Sequence, residues 1–202
     1  MTKFDLGLVD GNDWDAAAVN SVEAAINKCC IFGTNTERLA MTGQAPGQQF
    51  FDQANGRLWL WDGTGGDTQW VIMHEPPQTW SPTWSAGVTV GNGVWSNAKY
   101  QRENGFCNFE GRFTMGSTSA ITGTPTLNLP FSLWEVELLM PIPIVDNGIA
   151  RYVCFMSTFS PGAVALIVGS TGGAVSSTSP FTFGNGDYFT PRGRFKMASP
   201  FS

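Results

Sequence analysis

Residues able to do covalent or proton chemistry are few and scattered in this chain. His74 is the only histidine in 202 residues, so a His-based triad, zinc site or proton shuttle would have to be built on it alone. It lies in the proline-rich run HEPPQTWSPT and reads as a plain surface residue. Glu135 and Glu137 stand two apart, on one face of any strand, whereas glycosidase carboxylates converge from different strands across a cleft. A solvated sheet face explains them better. Asp10, Asn12 and Asp13 resemble the start of a calcium loop, but Trp14 interrupts it and no Glu follows at the twelfth position. Capping of a helix N-terminus accounts for them. The runs GNG at 91–93 and GSTGG at 169–173 lack the following Lys and the strand–loop–helix setting of a phosphate cradle. Both read as hairpin turns. Cys29 and Cys30 are adjacent, and Cys107 and Cys154 fall inside apolar strand patterns with no CxxC spacing. All four read as packed thiols. The chain is therefore expected not to be an enzyme, and no catalytic, cofactor or metal residue is assigned.

Aromatic residues are the more informative feature. Trp80, Trp84, Trp95 and Tyr100 cluster in the sequence, and such rings either stack on sugars at a recognition surface or pack in a core or interface. They are the candidate glycan contacts, with packing as the competing reading.

The elements that must position these residues follow from composition and periodicity. With 24 Gly, 12 Pro, 15 Phe and 8 Trp against 13% charged residues, about half the usual 25%, the chain reads as short strands joined by tight turns. A net charge of -5 argues against nucleic acid as the main partner, because that needs a basic face. No stretch is long and apolar enough for membrane insertion. Residues 1–80 carry ten acids and four bases, while residues 81–202 carry six acids and seven bases, which suggests two regions. The start MTKFDLGLVDGN has neither a basic nor an apolar signal segment, so synthesis in a cytoplasm is expected.

Trp14, Ala18, Val22, Ala25, Ile26 and Cys29 recur at three- and four-residue spacing, which predicts a helix from Asp13 to Ile31, ended by Gly33. A narrow stripe of this kind is not stable alone in water. From Gln48 to Met73, QQFFD, RLWLW and QWVIM predict a three-stranded meander with turns at Gln53–Gly56 and from Asp62. In its middle strand Leu58 and Leu60 point one way and Trp59 and Trp61 the other, so both faces require cover. Trp14, Ala18, Val22, Ile26, Trp59 and Trp61 are therefore the candidate assembly residues, and a homotrimer is expected. After a linker at 76–83, Cys107 to Met115 alternates apolar with polar residues, the mark of a half-buried antiparallel strand. Further runs at 94–102, 126–129, 134–140, 151–158, 163–168, 181–183 and 195–198, with no helix signal between them, predict a jelly-roll-like β-sandwich.

Three stretches carry a family resemblance. GQQFFDQANGRLWLWDGTGGDTQWVIM resembles a small module of tailed-bacteriophage structural proteins, although its GTGGDT loop is longer than the usual turn. TWSPTWSAGVTVGNGVWSNAKYQRENGFCNFEGRFTMGSTSAITGTPTLNLPF resembles the opening of the β-sandwich domain of phage minor tail proteins and virion fibres, and SPFTFGNGDYFTPRGRFKMAS resembles its close. DWDAAAVNSVEAAINKC resembles the assembly helix that begins such proteins. The resemblance implies a mainly β protein with a short N-terminal helix, a small three-stranded meander and a C-terminal sandwich. Residues 1–75 would then form an attachment and assembly region, and 84–202 the sandwich. It further implies a structural component of the virion, a minor tail or fibre protein on the tail rather than the head. Its partners would be its own copies, other virion proteins and a host-surface glycan. A capsid fibre or decoration protein and a carbohydrate-binding module are the alternatives. Recognition is then expected in the loops 116–123, 157–162 and 169–179.

Overall fold

The fold is taken from a computed structural model, which describes residues 30–63, 69–134, 139–158, 164–169 and 173–198. It is mainly β, and the chain divides between Pro76 and Pro77 into two compact units.

The first unit begins with β1 (Cys30–Gly33) and α1 (Asn35–Leu39), followed by β2 (Gln49–Asp52), β3 (Arg57–Asp62) and β4 (Gln69–His74). β1 pairs parallel to β2, and β2, β3 and β4 pair antiparallel in chain order. The connection from β2 to β3 is tied by Asp52, whose carboxylate accepts from the Ala54 N–H at 3.0 Å and the Asn55 amide at 2.8 Å, and Gly56 supplies the positive φ of 66° that closes it. Ile31, Phe50, Trp59, Trp70 and Ile72 form the buried core. On the other side of the sheet Phe32, Phe51, Leu58, Leu60, Val71 and Met73 are apolar, yet none is fully buried.

The helix expected to reach Ile31 does not do so: Cys30 and Ile31 belong to β1. Its stripe residues Trp14, Ala18, Val22 and Ile26 lie outside the described residues. Two neighbours decide the outcome at Cys30–Gly33. Pairing with β2 supplies a ladder for four residues, and Thr34 opens a separate helix with a capping box. The Thr34 N–H donates to Glu37 Oε2 at 2.7 Å, and the Glu37 N–H donates to Thr34 Oγ1 at 3.4 Å.

The second unit holds β5 (Gln78–Thr79), β6 (Trp84–Thr89), β7 (Val94–Glu103), β8 (Phe106–Thr114), β9 (Ala120–Asn128), β10 (Leu139–Asp146), β11 (Ala150–Ser157), β12 (Val164–Val168), β13 (Tyr188–Phe189) and β14 (Arg192–Lys196). The lateral order is β7-β8-β13-β10-β11-β12-β9-β6, with β14 also on β8 and β5 on β7. Residues 77–83 are not the free linker that their prolines suggest. Gln78 and Thr79 pair with Tyr100 and Lys99 of β7, and Trp80 is buried in the core of this unit.

β8 shows the expected alternation: Cys107, Phe109, Gly111, Phe113 and Met115 are buried, and Glu110 and Arg112 are exposed. β7 and β8 are joined by Asn104 and Gly105, with φ of 50° and 78°, the positive pair that a tight hairpin needs and that Asn-Gly tolerates. β10 carries Pro141 and Pro143 although prolines are rare inside sheets. Its pairing with β13 starts only at Ile144, so neither proline interrupts that ladder. The expected strand at 181–183 is absent. Phe181 and Phe183 instead pack as rings against the core, 4.4 Å between centroids.

Candidate functional site: a cationic groove on one sheet face

The structure brings Trp80, Trp84 and Trp95 together, but against one another and the core. Trp84 lies 5.4 Å from Trp95, 5.5 Å from Phe113 and 5.5 Å from Phe189, centroid to centroid. Trp80 meets Phe109 edge-on at 5.5 Å and is only 8% exposed. Offset and edge-to-face contacts of this kind stabilise a core beyond the area they bury. Tyr100 is separate and packs on Phe131 at 5.1 Å. Trp80 and Trp95 do border a surface hollow of about 450 Å³ together with Thr79, Pro82 and Lys99, but a sugar there would find Trp80 already covered. Trp59 and Trp61 belong to the first unit, where Trp59 is buried and Trp61 meets Trp70 edge-on at 5.2 Å.

Several charges in the first unit are committed locally. Arg57 donates through Nε and Nη2 to Oε1 of the fully buried Glu75, at 2.9 and 2.6 Å. The buried Arg38 lies with its guanidinium carbon 3.9 Å from the Trp59 ring centroid and donates to Asn35 Oδ1 at 2.8 Å. Burial lowers its pKa, opposed by the charge of Asp52. His74 is exposed at the end of β4. Cys107 and Cys154 are core residues. Glu135 and Glu137 lie outside the described residues.

The arrangement with recognition chemistry is on the outer face of β7, β8 and β14. The register aligns Lys99 with Glu110 and Glu110 with Arg192, and in the next row Gln101 with Asn108 and Asn108 with Arg194. These rows border a groove of about 470 Å³. Arg112 lies one pleat along from Glu110, and Lys196 one pleat beyond Arg194. Five of the seven cations of residues 81–202 thus face outward on adjoining strands.

Three local features place them. A register shift in β7 between Ser96 and Lys99, with Asn97 at φ 52°, inserts an extra residue. That bulge turns Ala98 and Tyr100 to the core and Lys99 and Gln101 outward. Gly193 is the inward position between Arg192 and Arg194, where a Cβ would clash with Met140 Sδ and come within 3.1 Å of the Phe109 ring. Its missing side chain lets β14 lie close on the core and sets the two arginines flush with the face. Rings then hold the cations: Arg194 over Phe106 at 4.3 Å, Arg112 over Tyr188 at 3.7 Å and Lys196 over Trp134 at 5.4 Å. A guanidinium stacked on a ring keeps its in-plane N–H donors available at its edge.

This face is not among the sites expected from the sequence. The alternation Arg192-Gly193-Arg194-Phe195-Lys196 signals it, but a strand start at Phe195 cuts that pattern in two. Of the loops expected to recognise a partner, 116–123 is half strand. Ala120 onward is β9, and the turn before it is tied to Asn92, whose Oδ1 accepts from Thr118 N–H at 2.9 Å.

Compared with known proteins, the chain matches no family model, no curated protein and no solved structure. Among the described residues, no helix is long and apolar enough to cross a membrane, and no group of three or more His, Cys, Asp or Glu is placed to hold a metal.

Proposed function

We propose that the chain is a non-enzymatic structural component of a tailed-phage virion, a minor tail or fibre protein that assembles through its first unit and presents the second. The observation that carries this reading is the two-sided sheet of the first unit. One face is a closed core, while the other presents Phe32, Phe51, Leu58, Leu60, Val71 and Met73 without burying any of them fully. All six are partly buried and none is openly exposed; a partly covered apolar face of this kind suits docking of a further element, and the amphipathic segment from Asp13, from this chain or a neighbouring copy, has the right pattern. The resemblance of the sequence to phage tail modules points the same way.

For the second unit we favour a jelly-roll-like sandwich. Trp84 of β6 packs on Trp95 of β7 and Phe113 of β8, although β6 is far from β7 and β8 in the lateral order. That strands so far apart in the order share one aromatic cluster supports a sheet folded over on itself. Partners of the assembly are its own copies, as a homotrimer, and other virion proteins, with contact to the host surface through the second unit.

Light scattering on the purified chain should give about three times 21.8 kDa. Val22→Asp should dissociate that species, because a carboxylate forced into an apolar interface costs several kcal/mol. A monomer at micromolar concentration contradicts the assembly reading. Placement on the head rather than the tail of a particle would make it a capsid fibre or decoration protein.

A further inference from the structure

We propose that the outer face of β7, β8 and β14 is a binding site for an acidic polysaccharide, one whose repeat carries a carboxylate or phosphate beside neutral, hydroxyl-rich sugar. The proposal extends the host-contact part of the function above. It is read out on purified protein, so the two fail separately.

Charge selects the class of ligand. The whole chain is at -5, yet among the described residues of this face Lys99, Arg112, Arg192, Arg194 and Lys196 stand against two acids, Glu103 and Glu110. Among the described residues no ion pair to any of these five cations is formed, and the ring contacts that orient three of them leave the charges unneutralised. A planar guanidinium fixed in this way suits bidentate capture of a carboxylate or phosphate.

The groups between the cations narrow the class further. Glu110 lies in the row between Lys99 and Arg192, and Gln101 and Asn108 extend the next row to Arg194. A nucleic acid would run its unbroken line of phosphates past the Glu110 carboxylate, a like-charge contact in the middle of the site. A polysaccharide places hydroxyls there, which donate to the carboxylate and exchange hydrogen bonds with the amides. The rows border a surface groove of about 470 Å³, room for a few sugars of a long chain. Affinity per site is therefore modest and gains from several copies on one assembly.

The test is titration of the full chain at physiological salt with three probes: a polyuronate oligosaccharide in which each uronate alternates with a neutral sugar, neutral dextran of similar length and a single-stranded oligodeoxynucleotide of matched charge. The proposal expects the polyuronate to bind at least ~10-fold tighter than either of the others. Arg192→Gln with Arg194→Gln should weaken polyuronate binding at least ~10-fold, and Lys99→Gln alone about threefold. Arg151→Gln, which removes the same charge from an exposed position near the start of β11, should change it less than about twofold. Each variant is checked for an unchanged melting temperature, and if the double variant is destabilised, Lys99→Gln decides. Absence of polyuronate binding overturns the proposal. So do equal or tighter binding of the oligodeoxynucleotide, and insensitivity to Lys99 and to the arginine pair. Light scattering on the same samples reports the oligomer independently.

Discussion

Arg194 lies over Phe106, its guanidinium carbon 4.3 Å from the ring centroid, where β14 runs beside β8. The pairing joins a half-buried ring to an exposed cation, so the ring serves the orientation of the charge more than the core. Phe106→Ala should therefore lower affinity for an acidic polysaccharide about three-fold, the equivalent of roughly 0.5–1 kcal/mol from a lost exposed cation–π contact. Its melting temperature should change far less than on truncation of a core ring. Titration and thermal melting of the same variant check this.

Phe113 is such a core ring, fully buried and in contact with both Trp84 and Trp95. Phe113→Ala should cost about 3–5 kcal/mol through the cavity left among the aromatics. Near-UV circular dichroism should weaken as the tryptophans lose their fixed packing, and chemical denaturation should give the loss in stability.

In the first unit the ion pair is the weak point. Glu75 is fully buried, and Arg57, a quarter exposed, donates to it twice. Arg57→Ala leaves a buried carboxylate without that guanidinium and should destabilise the first unit by about 3 kcal/mol. Arg57→Lys keeps the charge but not the forked geometry and should recover only part. Urea denaturation followed by the fluorescence of Trp59 and Trp70 reads this directly.

The capping box adds a dependence on pH. Hydrogen bonds from the Thr34 backbone and then its hydroxyl hold the Glu37 carboxyl below its ordinary pKa of 4.5. A carboxyl depressed by folding stabilises above its unfolded value and loses that contribution as pH falls through the lowered one. Stability of the first unit should thus decline as pH falls below the ordinary 4.5 and through the lowered value, and Thr34→Ala should make the decline shallower. At neutral pH Thr34→Ala should cost about 1 kcal/mol as a lost N-cap. Melts across that range check both statements.

Much of the β character is legible locally. The alternation from Cys107 to Met115, the Asn104-Gly105 turn and the three runs from Gln49 to His74 carry their own periodicity, and each became strand or turn. What was not legible depended on distant partners. Cys30 and Ile31 fall at the end of the expected helix and become strand with Phe32 and Gly33 because β2 offers them a ladder. Pro141 and Pro143 argue against a strand that the full pairing of β10 with β11 imposes. The groove was hidden for a similar reason. Lys99 and Arg192 are far apart in the chain, and only the common pairing to Glu110 aligns them, while the bulge at Asn97 decides which β7 residues face out. Trp80, Trp84 and Trp95 read as candidate ligand contacts because ring type is visible in sequence and burial is not.

The central claim, that this is a structural part of a phage particle, is tested most directly by labelling purified virions with antibody raised against the folded chain and locating the label by electron microscopy. The account predicts label at a fixed place on the tail of each particle, in numbers consistent with multiples of three copies. Intact, purified particles that carry no label and no peptide of this chain by mass spectrometry would contradict it.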